Sequence, residues 1–216
     1  MRAAQRAINF EHFKLLLGRL LQDLGGIHVF RLMKIFYLVE WTILRKTGTP
    51  FSEVEIVRLP QGPAIDRYQS ILDDLQDEGF IQQVHEVAYP NGTLIELVQE
   101  EDFDLPEHIV RSYDEALVWI NSIDLYDANA LQAAAYQTPP MRRIEQDEET
   151  NIMTRTGQPV FDTKWVSIED FENEDAYWKF YIWNRKKTFG EQPMRKEDLE
   201  ADLQQSRRLA PLRPQI

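Results

Sequence analysis

The sequence predicts a mainly α-helical chain with a small β-hairpin, an α+β fold in which a compact helical domain carries a winged-helix-like element and a C-terminal helical extension. Three observations predict it. Apolar residues recur at helical spacing over 10–24 and again over 29–46. A helical pattern over 64–77 leads through Gly79 into two strand-like segments joined by Pro90-Asn91-Gly92. An aromatic-rich helical segment over 175–187 lies in the last third of the chain. The expected organisation is a domain over 1–144 and an extension over 145–216 whose aromatic helix packs back on it.

The elements follow in order. Phe13, Leu16, Leu17, Leu20, Leu21 and Leu24 form one stripe, which Gly25-Gly26 ends. Phe30, Met33, Phe36, Tyr37, Trp41 and Leu44 mark the buried face of a second helix, stopped by Thr47-Gly48-Thr49-Pro50. Phe51–Leu59 alternates weakly, as a short strand does, and Pro60-Gln61-Gly62-Pro63 reads as a rigid turn. A third helix is expected over Ala64–Asp77, with Ile65, Tyr68, Ile71, Leu72 and Leu75 inward. Phe80–Tyr89 and Thr93–Val98 are the strands of the hairpin, because Asn-Gly takes positive φ angles readily. Pro106 opens a helix to about Ser122, and a short helix over Ala128–Tyr136 ends at Thr138-Pro139-Pro140. Glu145–Glu149, with four acids in five residues, reads as a solvated linker, and Thr154-Arg155-Thr156-Gly157 as a turn. Asp175–Lys187 is the aromatic helix, Glu197–Arg208 the last helix, and Pro211–Ile216 a frayed end.

The chain has 216 residues, 43% of them hydrophobic and 28% charged, which suits a globular protein with a real core. It has no cysteine, which excludes disulfides, thiolate zinc sites and cysteine nucleophiles. No stretch approaches 18 apolar residues, and the segment Phe10–Leu24 is broken by Glu11, Lys14, Arg19 and Asp23, so it reads as a helix of the fold rather than a signal peptide. A cytoplasmic protein is the expectation. The net charge of -12 argues against a duplex-binding surface over the whole chain and suits a basic protein partner. Acidity is concentrated in 101–150, which carries 3 Lys+Arg against 12 Asp+Glu, whereas 1–100 carries 10 against 13 and 151–216 carries 11 against 11.

Motifs for catalysis are not found in the sequence. His12, His28, His85 and His108 form no HxxxH or HExxH pattern, and there is no GxGxxG, Walker loop or GxSxG elbow. Asp73 and Asp77 share a helix face and are the best candidates for Mg²⁺ or acid–base work, but nothing beside them resembles a phosphate cradle, so a wet charged face explains them better. No metal, cofactor or catalytic residue is therefore expected. The hairpin invites a winged-helix, DNA-binding reading. Its matching helix, however, offers Arg67 and Gln69 and then four acids, and the wing Tyr89–Thr93 has no Lys or Arg.

Arg31-Leu32-Met33-Lys34-Ile35-Phe36-Tyr37-Leu38 resembles the LQKLLYF helix that opens the SocA-like antitoxin domain, also called the Panacea domain. Thr47-Gly48-Thr49-Pro50-Phe51, the strand Glu53–Leu59 and Leu59-Pro60-Gln61-Gly62-Pro63-Ala64-Ile65-Asp66-Arg67-Tyr68 resemble the family's next segments in order and spacing. Pro60-Gln61 replaces the family's basic-aromatic pair, and Asp66 stands where a second proline is common. The resemblance covers about 28–140 and implies a non-enzymatic, mostly helical domain that binds and neutralises a cognate protein toxin, in some members as a proteolytic adaptor. Members of the family often occur in prophages and mobile elements.

Two sets of residues are candidates for partner contact. Gly62, Pro63 and Tyr68 belong to the Gly-Pro segment, where the alternative is a turn that only positions the next helix. Trp178, Tyr181 and Trp183 either bury themselves on the domain or anchor a partner, since interface hot spots favour Trp and Tyr. Arg185-Lys186-Lys187 compensates the helix end and is the best candidate for contact with RNA or an acidic partner.

Overall fold

The computed structural model describes residues 10–85, 92–98, 101–123, 127–147 and 156–190, together with Ala201 and Gln204. Helix α1 (Phe10–Leu24) buries Phe13, Leu16, Leu17, Leu20 and Leu21, the stripe its spacing encodes. Each such side chain contributes about 1.5–3 kcal/mol by leaving water. A short strand β1 (Ile27–His28) leads into α2 (Val29–Thr47), the axis of the molecule. Every residue of α2 from Leu32 to Leu44 is buried, including Lys34 and Glu40. Gly48 ends it at φ 88°, donating its N–H to the Leu44 carbonyl at 2.8 Å.

The next segment corrects the sequence reading. Strands β2 (Ile56–Leu59) and β3 (Gly62–Ile65) form an antiparallel hairpin, with Pro60-Gln61 as its turn. Ala64 and Ile65 are therefore extended, and helix α3 (Tyr68–Asp77) begins four residues later than expected. The cause is local. Gly62 takes φ 102°, Ile65 pairs with Ile56, and Arg67 takes φ 52° immediately before the helix.

Strands β4 (Ile81–His85) and β5 (Thr93–Leu97) pair antiparallel, and β1 joins the far side of β5, giving the order β1-β5-β4. The remainder of the strand expected to Tyr89, and the Pro90-Asn91 turn, lie outside the described residues. The Gln83 N–H on β4 is capped by the Gln76 side chain of α3 at 3.0 Å. The succession α1-β1-α2-α3-β4-β5 with that strand order is the winged-helix-like element, enlarged by the β2–β3 hairpin.

Helix α4 (Glu107–Ser122) packs on α2, and α5 (Ala128–Gln137) is capped by the Asp127 carboxylate. Thr138-Pro139-Pro140 does not simply stop the chain, because proline at the first helical position opens α6 (Pro139–Gln146). Glu145 and Gln146 thus belong to a helix rather than to the linker expected over 145–149, of which 148–149 lie outside the described residues. A 3₁₀ turn (Ile168–Asp170) with a Ser167 capping box precedes α7 (Glu174–Phe189), whose Asn173 cap accepts from the Ala176 N–H at 2.9 Å. Val160, Phe161, Trp165, Val166, Phe171, Ala176, Tyr177 and Phe180 join the same core as α1 and α2. The helix expected over Glu197–Arg208 lies almost wholly, and Pro211–Ile216 wholly, outside the described residues, as do Thr154-Arg155.

Candidate partner-binding site

The sequence-predicted residues fall at two stations. At the first, α2 meets the β2–β3 hairpin. Lys34 is 2% exposed, its ammonium donates to the Pro63 carbonyl at 2.9 Å, and it lies 4.6 Å from the centre of the Phe30 ring. Burial lowers this amine from its usual range to about 8. A methyl group on Gly62 would stand 3.3 Å from Lys34 Cε and 3.5 Å from the Tyr136 ring. From α5, Gln132 donates to the Gln61 carbonyl at 3.1 Å. From α6, Glu145 accepts from Arg58 Nε at 2.8 Å, while Arg58 also donates to the Leu59 carbonyl at 2.8 Å. Gly62 and Pro63 are buried, Pro60 and Gln61 are exposed at the tip, and Tyr68 is half-buried at the start of α3.

The hairpin is also held from behind. Arg58 donates its N–H to Gln158 at 2.9 Å and accepts from the Gly157 N–H at 2.7 Å, and Val57 bridges to Pro159. Lys187 reaches Glu55 at 2.5 Å and lies 5.5 Å over the Trp183 ring, which joins this station to α7. On α7, Tyr181 is buried at 2%, and Trp178 and Trp183 are half-buried. The Trp178 and Tyr181 rings meet edge-on at 5.7 Å, and Trp183 lies 6.0 Å from Phe180.

The sequence reading did not single out Lys34, Arg58, Glu145 or the outer residues Ile182 and Phe189. Lys34 had a visible signal, since it and Glu40 are the two charged residues in the stretch Leu32–Leu44, which is apolar apart from them and Thr42. The Arg58–Glu145 pair had none, because the partners are 87 residues apart.

A third feature is acidic. Two grooves share Glu101 and Asp102. One, of about 710 Å³, adds Glu96, and the other, of about 380 Å³, adds Glu11 and Glu78. The segment bearing them is pinned by Phe103, whose ring lies where a side chain on Gly18 would stand. Among the described residues Lys14 is the one cation lining either groove, and it pairs with Glu78. The exposed side of α3 is acidic as well, and its Asp73 accepts from Gln69 at 3.0 Å and Gln83 at 2.9 Å. Among the described residues no three His, Asp or Glu side chains converge as a metal site, and no helix is long and apolar enough to cross a membrane.

A family model described as antitoxin SocA-like, Panacea domain matches residues 32–179. The match takes in the first station and reaches the start of α7, including Trp178 but not Tyr181 or Trp183, and so continues well past the 28–140 segment that carried the resemblance. No curated protein and no solved structure matches the chain significantly.

Proposed function

The chain belongs to the antitoxin SocA-like, Panacea domain family, and on that premise we propose that it neutralises a cognate toxin protein by binding it, without catalysing a reaction. The observation that carries this reading is the family match over 32–179. A toxin-antitoxin-like role and a protein partner follow from the family in general; direct masking of the toxin is the step added here. The acidic grooves at Glu101 and Asp102 support a basic partner, because carboxylates steer and hold cationic surfaces. The protein acts in the cytoplasm on this reading. Delivery of the toxin to a protease is a variant of the same binding step. Co-expression with the product of the neighbouring gene tests it. The neighbour is expected to arrest growth alone, to be tolerated with this protein, and to co-purify with it. A neighbour that is harmless alone, or one whose toxicity persists despite co-expression, sinks the reading.

The order β1-β5-β4 behind α3 favours a second reading, a winged-helix transcriptional regulator. Surface charge opposes it, since Asp73, Asp74, Asp77 and Glu78 are exposed on or just beyond α3 and would meet phosphates. A gel-shift series at low salt with the protein's own upstream DNA separates the two. Retardation there supports the regulator, and free DNA throughout removes it.

A further inference from the structure

Helix α1 ends at a place where the sheet edge is left open. Strand β1 covers β5 only through Ile27 and His28, which pair with Ile95 and Leu94. On the other side of β5 the Val98 N–H donates to the Phe80 carbonyl at 3.2 Å. Backbone groups alternate in direction along an antiparallel strand. Leu94, Glu96 and Val98 therefore turn theirs to β4, and Ile95 and Leu97 turn theirs away from it. Ile95 meets β1. By the same register Leu97 would meet Gly25, but Gly25 takes φ 73° and leads the chain off the strand line. Among the described residues nothing pairs with the Leu97 N–H and carbonyl on that side. A Cβ built on Gly25 would have nothing within 4 Å, so the space beside the edge is clear.

The groove of about 710 Å³ at this edge carries charge of one sign. Glu96, Glu101 and Asp102 rim it, Leu21 and Leu97 give it apolar walls, and among the described residues no Lys or Arg lines it. Glu101 and Asp102 are exposed, and no described cation pairs with either. Glu96 accepts from Gln82 at 2.8 Å, a neutral donor that leaves its charge in place. Helix α1 has no basic residue in its last turn, so its carbonyl end adds to the same field. A cleft with one sign of charge on low-dielectric walls concentrates that field on whatever enters it.

We propose that this groove takes an extended, arginine- or lysine-bearing segment of the protein partner, laid against the open edge of β5 beyond β1, with its cations on Glu96, Glu101 and Asp102. The inference deepens the toxin-binding reading and takes from it only that the partner is a protein. The open edge selects an extended chain, because an added strand satisfies the backbone groups of Leu97 and a helix has none to offer. The carboxylates select its charge, since they repel an acidic strand and hold a basic one. Leu21 and Leu97 suit the aliphatic stems that carry such cations.

Fluorescence anisotropy on the full-length protein at low salt tests the proposal. The probes are three short fluorescein-labelled peptides: Arg alternating with Thr, Glu alternating with Thr, and the arginine peptide methylated on its backbone nitrogens. The arginine peptide is expected to bind and the glutamate one not to. The methylated peptide keeps its charge but loses its N–H donors, and is expected to bind about tenfold more weakly. Glu101→Gln with Asp102→Asn is expected to weaken the arginine peptide about tenfold, with circular dichroism and Tm unchanged because both side chains are exposed. Binding of neither charged peptide, or of both alike, overturns the proposal. So does a methylated peptide that binds as tightly as its parent, or a double variant that binds as tightly as the native protein. Binding that appears only after Arg2→Glu with Arg6→Glu overturns it too, since the chain's own first residues would then be the occupant. The peptides are read without the neighbouring gene's product. A failed co-expression assay with peptide binding intact therefore removes the toxin reading alone, and the converse removes the groove alone.

Discussion

Lys34 sets an ammonium against a carbonyl and an aromatic ring inside the core, and its amine is lowered to about 8 by burial. In the unfolded chain the same amine titrates near 10.5. Between those values the unfolded state holds the proton and the native state has released it, so stability rises with pH through that window. Lys34→Met is expected to flatten this rise in urea titrations at pH 7 and pH 9, below the range in which tyrosines ionise. A parallel rise in the variant would assign the slope to other groups. The neighbouring Gly62 has φ 102° and room for a methyl only in contact with Lys34 and Tyr136. Gly62→Ala is therefore expected to cost about 1–2 kcal/mol, read as a lowered Tm. The glycine and proline were visible in the sequence as a motif. Their reason was not, because the lysine that binds Pro63 stands 29 residues earlier and only the fold brings it there.

At the scale of elements, two ion pairs make α6 a strut. Arg143 grips Asp170 with two nitrogens and also donates to the Trp165 carbonyl at 2.7 Å and Ser167 Oγ at 3.2 Å. Both side chains are under a tenth exposed. Arg143→Met leaves Asp170 buried without its cation and is expected to cost about 3–5 kcal/mol, with Arg143→Lys a poor substitute because it lacks the planar fork. The Arg58–Glu145 pair is asymmetric, at 7% and 28% side-chain exposure. Glu145→Gln strands the buried arginine and is expected to cost about 2 kcal/mol. Arg58→Met leaves a carboxylate that reaches water and is expected to cost less. Equal losses in chemical denaturation would contradict this assignment. Gly48 tests the seat of α7, since a methyl there would stand 2.3 Å from the Ala176 carbonyl oxygen, and Gly48→Ala is expected to cost about 3 kcal/mol. Helices α1, α2, α4 and α5 were legible because their apolar spacing and their Gly and Pro boundaries agree. The start of α3 was misread for a specific reason. Ile65 keeps the helical phase of Ile71, Leu72 and Leu75, while the pairing with Ile56 that makes it a strand is not local.

For the whole molecule, the asymmetry of charge was legible and the surfaces that carry it were not. Counting acids placed the excess in 101–150; the fold selects Glu101 and Asp102 by pinning Phe103 on Gly18 between two grooves. Glu101→Lys with Asp102→Lys is expected to weaken protection by about tenfold in the co-expression assay at unchanged Tm, as reversal of steering charges does. Undiminished protection would move the contact elsewhere. The last third of the chain had no family reading from its residues, yet Phe161, Trp165 and Phe180 belong to the central core. That packing has a consequence in time. The hairpin at 56–65 is completed from behind by Gln158 and Val160, and Glu55 meets Lys187, 132 residues later. At about 5–20 residues per second, a ribosome needs roughly 7–26 s to make that stretch. Until that stretch is complete, α2 has one flank uncovered. The nascent protein must pass through this window before its own last strut arrives, so a stalled or prematurely released chain would leave that apolar flank open to chaperones and proteases.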